Sequence, residues 1–148
     1  MKKFFSTSDD IALTLLRIAL GVVMFPHGAQ KVLGWFGGYG WSGTMGFMTG
    51  TLGVPAALAA LVFIGEFFGS IGLITGFLGR LSAFGIFATM LGAIFMVHAK
   101  VGFFMNWSGT LQGEGYEFHI LAAAMALAIV IKGSGAYSVD RAVAERIK

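Results

Sequence analysis

Five side chains in this apolar chain have chemistry to offer: His27, Glu66, His98, Glu117 and His119. Imidazole and carboxyl groups whose titration is tuned by burial and pairing can deliver and remove protons. A half-buried apolar site carrying them suits a quinone, whose reduction takes up protons as well as electrons. Arg17, Lys31, Phe104, Asn106 and Trp107 are the accompanying candidates for holding such a ligand, with Phe103, Phe104 and Trp107 able to stack on a flat ring. Three histidines and two carboxylates would also be ligands enough for Zn, Cu or Fe. No HxxxH or ExxH pair supports that use, and no metal is assigned. A third reading makes the cluster a device that fixes the fold of a binding or chaperone module.

The elements that must position these residues follow from composition. The chain has 148 residues, 57% of them hydrophobic and 11% charged, with a mean hydropathy of +0.83. Soluble domains carry about 25% charged residues, so this chain has too little polar surface to cover a water-soluble globule. Its length suits one domain spanning residues 1–148. The net charge of +3 does not signal nucleic acid, because the basic residues sit near the termini and at helix ends rather than in an aromatic-interleaved patch. Cysteine is absent, which excludes disulfides, thiol relays and thiolate metal sites. The opening Met1–Asp10 places two lysines before polar residues, without a small-residue cleavage site, so the first helix is expected to be retained.

About 20 apolar residues cross ~30 Å of hydrocarbon. Four segments approach this, at about 11–36, 55–78, 81–98 and 117–131, with Gly79-Arg80 as a tight turn between the second and third. The expected fold is therefore all-α: an antiparallel four-helix bundle in a membrane. Two longer connections, 37–54 and 99–116, carry the tryptophans of one end, whereas Lys2, Lys3, Arg80, Lys132, Arg141, Arg146 and Lys148 fall at the other. Basic residues mark the cytoplasmic side, so both termini are expected there.

Spacing indicates the faces. Gly65, Gly69, Gly72, Gly76 and Gly79 recur at four and three, as do Ser82, Gly85, Thr89 and Gly92. Small residues at such intervals let membrane helices approach closely, and a stripe left uncovered would invite a homo-oligomer. Arg17, Gly21, Met24, Gly28 and Lys31 share a face of the first span, with His27 at its flank and Pro26 expected to kink the helix there. Intramembrane charge turns inward and pairs. Arg17 thus either serves the site or acts as the counter-ion of Glu66. Lys31 and Lys100 have a simpler role open to them, reaching the interface along their aliphatic stems. Glu114 reads as a solvated loop carboxylate, and either His98 or His119 alone would do for an interhelical hydrogen bond.

Four stretches in order, Leu16-RIALGVVMFPHGAQKVLGWFGG, His98-AKVGFFMNW, Gly115-YEFHI and Gly133-SGAYSVD, together resemble the DoxX family of small four-helix bacterial membrane proteins. The last is similar to that family's Gly-Pro-Gly…Ser-Leu-Asp ending, with Ser134 where proline is common. The resemblance implies a multi-pass protein of the bacterial inner membrane. Relatives include the membrane subunit of a thiosulfate:quinone oxidoreductase and a partner of redox-defence enzymes, while more distant ones are chaperones, cargo receptors or cyclases. Function is therefore read from the site: a component of a quinone-linked oxidoreductase, or alternatively a non-catalytic scaffold for a soluble redox partner. With no thiols, no haem-ligation pattern and no dinucleotide fingerprint, electrons would have to come through a bound cofactor or partner subunit.

Overall fold

Asp10 begins the first helix by accepting hydrogen bonds from the amides of Ala12 and Leu13, the usual way a carboxylate satisfies two of a helix's unpaired donors. In the structure, a computed structural model describing residues 5–146, this helix (α1) runs Ile11–Val32 without interruption at Pro26. It is followed by α2 (Gly40–Gly46) with a π-helical turn Phe47–Thr51, α3 (Ala56–Thr75), α4 (Gly79–Ala93) continuing as a π-helical turn Ile94–His98, α5 (Glu117–Lys132) and α6 (Val139–Arg146). These six helices and short turns are the regular structure among the described residues, with no strand. Lys2, Lys3 and Lys148, and the first part of the expected retained N-terminus, lie outside them.

Three stretches are long and apolar enough to cross a membrane: Ile11–Val32, Ala56–Thr75 and Gly79–His98. α5, at 16 residues, rises about 24 Å. The expected boundaries shift where glycine takes over. α1 stops at Val32 rather than near residue 36 because Gly34 adopts φ 73°. α3 stops at Thr75 because Gly76 takes φ 70°, the left-handed cap that glycine adopts without a steric penalty. The turn is therefore 76–78, and Arg80 lies inside α4 rather than in the turn. The connection 37–54 is folded as well. Met45, Met48 and Leu52 cover a small core of Val54, Ala59 and Phe63, with Trp41 edge-on to Phe63 at 5.0 Å.

Glycine also sets the packing. A Cβ on Gly28 would meet the backbone of Glu66 and Phe67, and one on Gly21 the backbone of Ser70 and Ile74, so α1 lies backbone to backbone along α3, antiparallel. Gly65 faces Gly85, and Gly69 faces Ser82, making the α3–α4 contact. α5 closes against α4 and α1, burying Leu20, Met24, Ile86, Met90, Ala126 and Ile129 between them. Gly92 meets nothing within 4 Å, so the expected small-residue stripe of α4 is left open at that end.

At the end where residues 133–141 pack, Arg17 is fully buried. Its Nε donates to the Ser134 carbonyl (2.8 Å), Nη1 to the Leu73 and Ile74 carbonyls, and Nη2 to that of Tyr137 (3.3 Å). The alternative in which Arg17 is the counter-ion of Glu66 does not hold: Glu66 pairs with Lys31. Antiparallel packing sets Glu66 beside Gly28, about 16 Å farther along α1. Asp140, also buried, accepts from the amides of Leu78 and Gly79 (both 2.8 Å) and from Ser134 Oγ (2.6 Å), capping the start of α4. Arg80 donates to the Val130 and Ile131 carbonyls that end α5. Farther out, Arg141 bridges Asp9 and Glu145.

Two outcomes follow. Gly28→Ala should lower the thermal stability of the detergent-solubilised protein by about 1–3 kcal/mol, because backbone atoms must move to admit the methyl; Gly46→Ala, with open space around it, should be neutral or stabilising by up to about 1 kcal/mol. The hydrogen bond from Arg141, helped by its charge, holds the Asp9 carboxyl below its ordinary 3.8. A lowered carboxylate stabilises the fold above its unfolded value and loses that contribution as pH falls through the folded one. Arg141→Ala should raise the Asp9 titration toward 3.8, read by carboxyl-carbon NMR; for so exposed a pair the effect on stability should be slight.

Candidate functional site

The close approach of Gly28 to α3 decides what lies one turn farther along α1. Lys31, three residues on, brings its Nζ to 2.5 Å from Glu66 Oε2, with the glutamate side chain 4% exposed and the lysine 27%. The ammonium also lies 3.5 Å from the His27 carbonyl. Lys31 thus does not simply reach for the interface; it neutralises a buried carboxylate. The contact with Oε2 is an ion pair without hydrogen-bond geometry. His27 lies on the flank of this pair, exposed, its ring 6.1 Å from that of Phe118.

The second half of the site is made by α4 and α5. His98, at the end of the π-helical turn, and His119, in the first turn of α5, have ring centroids 4.0 Å apart. His98 Nδ1 lies 2.7 Å from the Glu114 carbonyl; that acceptor requires a proton on Nδ1 and leaves Nε2 for a second partner. His119 is buried, and its Nδ1 has no partner of hydrogen-bond geometry, the backbone of Gly115 one turn earlier being the polar group it faces. His98, His27 and Lys31 are its charged or titratable neighbours.

His27, Lys31, Glu66, His98 and His119 therefore gather at the end of the protein opposite residues 133–141. Glu117 stands beside them but is occupied with the loop: its Oε1 accepts from the Met105 amide (2.9 Å) and from Trp107 Nε1 (3.3 Å). Asn106 is likewise engaged, bonding Leu111 through both ends of its amide. Phe104 and Trp107 are exposed on that loop, and Arg17 is at the far end. Glu114, read from sequence as a solvated carboxylate, accepts from the Asn106 amide at 2.7 Å. Among the described residues, no group of three or more His, Cys, Asp or Glu is arranged to hold a metal. Two surface grooves, of about 430 and 360 Å3, lie elsewhere, beside Arg141 and along the outer side of α3 and α4. Sequence reasoning passed over Ser134 and Asp140 as working residues; the signal was their place in a tail motif, with no hint of which helix they would cap.

A family model described as DoxX matches residues 12–99, well over half of the chain. The chain belongs to the DoxX family. The DoxX match covers α1 to α4 and so includes His27, Lys31, Glu66 and His98. The chain is similar to the Escherichia coli (strain K12) protein "Inner membrane protein YqjF", 26% identical over 133 residues that cover 90% of this chain and 92% of that one. It is also similar to "Putative oxidoreductase CatD" of Bacillus subtilis (strain 168), 27% identical over 133 residues, covering 90% and 87%. No solved structure matches the chain. Family, relative and three spanning helices together make this a multi-pass inner-membrane protein.

The ion pair makes an asymmetric prediction. Lys31→Met strands a buried carboxylate and should cost about 3–5 kcal/mol. Lys31→Met combined with Glu66→Gln removes the charge and should recover most of that loss, as measured by thermal unfolding in detergent.

Proposed function

We propose that this DoxX protein is an inner-membrane component of a quinone-linked oxidoreductase system, an antiparallel four-helix bundle with both termini cytoplasmic. The quinone-like ligand is held at the outer half by His27, Lys31, Glu66, His98 and His119. The observation that carries this reading is the His98–His119 ring contact of 4.0 Å beside the Lys31–Glu66 pair. There, the Nδ1 of buried His119 has only the Gly115 backbone near it, without good hydrogen-bond geometry, and a ligand carbonyl could compete for that nitrogen; buried polar groups left incomplete often mark a functional site.

A quinone supplies a two-electron acceptor whose oxygens take up protons. The chain's own residues would hold and pass those protons. His98 presents Nε2 because Nδ1 is committed to the Glu114 carbonyl, and Lys31, in place against Glu66, supplies positive charge near the ligand oxygens. Electrons come from a partner subunit or a bound cofactor, since the chain has no thiol to carry them. The relative named an oxidoreductase supports the class of reaction.

A second reading, a scaffold for a soluble redox partner, draws on the structural duties of the same residues, with Glu117 and Asn106 spent on the loop. Organic extraction of the purified protein separates the two. Quinone should co-purify near one per chain, and Glu66→Gln and His119→Ala should each lower its retention roughly tenfold or more, the cost of losing one buried polar partner. Absence of quinone, together with normal complementation by His27→Ala and Glu66→Gln, would leave the scaffold reading standing.

A further inference from the structure

α5 is short beside its neighbours. Its 16 residues rise about 24 Å, against ~30 Å of hydrocarbon, while the adjoining Gly79–His98 stretch has 20. What stands at the deficient end is the loop 99–116, and it is tied down. The amides of Gly115, Tyr116 and Glu117 donate to the carbonyls of Phe104, Gly102 and Phe103 at 3.1, 3.1 and 2.9 Å. The Met105 and Asn106 amides donate to the Glu117 and Glu114 carboxylates.

Two properties result. The five carbonyls of 102–106 and the amides of Gly102, Met105 and Asn106 are met from within the protein, which lowers the cost of irregular backbone at membrane depth. The same bonds hold aromatic side chains outward: Phe104 is 69% exposed and Trp107 88%. Beyond them the loop turns polar, Ser108 and Thr110 bonding each other at 2.8 Å. The loop is thus sided, with an aromatic base on α5 and a hydroxyl-bearing tip.

We infer that residues 102–107 lie in the edge of the hydrocarbon as the missing end of a fourth crossing. Their partner is the upper acyl-chain and glycerol region of one leaflet, and Ser108–Gln112 sit in the headgroups or water. Lipid is the occupant because the helix ends that flank this loop also expose apolar side chains, Phe95 and Met96 before it and Ile120 and Leu121 after it, and because Trp is the residue type that favours this depth. The inference does not rest on quinone binding. A soluble protein would compete for the same aromatics only if they stood in water.

The chain has no cysteine, so Phe104→Cys and Thr110→Cys each place one thiol on a silent background. In purified protein, reconstituted into phosphatidylcholine vesicles made permeable to a charged maleimide on both faces, the Phe104→Cys thiol should react roughly tenfold or more slowly, since a thiol out of water ionises less readily. Both should react alike after unfolding in dodecyl sulfate. Equal rates in the vesicles would overturn the inference and leave the aromatics free for a protein partner. A second measurement keeps Trp107 alone by Trp35→Phe and Trp41→Phe. Its fluorescence should be quenched by lipids brominated high on the acyl chain and spared by aqueous iodide; the reverse pattern would also overturn it.

Discussion

Every helix ends with carbonyls or amides that have no partner in the helix itself, and near hydrocarbon water is scarce to supply one. In this protein the buried Arg17 and Asp140 and the half-buried Arg80 meet that demand at one end of the bundle. Arg17 takes the last carbonyls of α3, Arg80 those of α5, and Asp140 the first amides of α4. Cations at helix C-termini and an anion at an N-terminus are also the favourable charges for the helix dipoles. The tail 133–140 is thereby stitched across the bottom of α1, α3 and α4, and a rigid base lets the opposite end hold less saturated groups such as His119. Without that base, the Gly28 contact that delivers Lys31 to Glu66 would have nothing to register against.

Much of this was legible in the sequence, for reasons that depend on the residue. The small-residue periodicity of α3 and α4 gave their contact, and the spacing of Arg17, Gly21, Met24 and Gly28 gave the buried face of α1. Periodicity does not report register between helices. Arg17 and Glu66 both looked like residues in need of a counter-charge, yet the antiparallel offset gave Glu66 to Lys31 and gave Arg17 to backbone carbonyls that no sequence pattern displays. The folded 37–54 segment was hidden for a similar reason. Its glycines suggest a loop, and its helix exists because Met45, Met48 and Leu52 find Val54 and Phe63.

The gathering of His27, Lys31, Glu66, His98 and His119 rests on both kinds of information. Titratable residues in apolar segments marked themselves; their convergence needed α4 and α5 to meet at His98 and His119. Membership in the DoxX family, three spanning helices and a relative named for the inner membrane fix the setting.

The Arg17–Ser134 hydrogen bond has a consequence for biosynthesis. Its two residues are 117 positions apart, so at ~5–20 residues per second the ribosome makes the arginine roughly 6–23 s before its acceptor. The Leu73 and Ile74 carbonyls arrive about halfway through that interval, so the guanidinium is met in stages, first by α3 and then by the tail. Until then α1 carries a charge that is costly in lipid, which favours its holding near the translocon or the interface. A chain interrupted before Ser134 lacks the acceptor of Nε and leaves part of the guanidinium uncompensated in lipid.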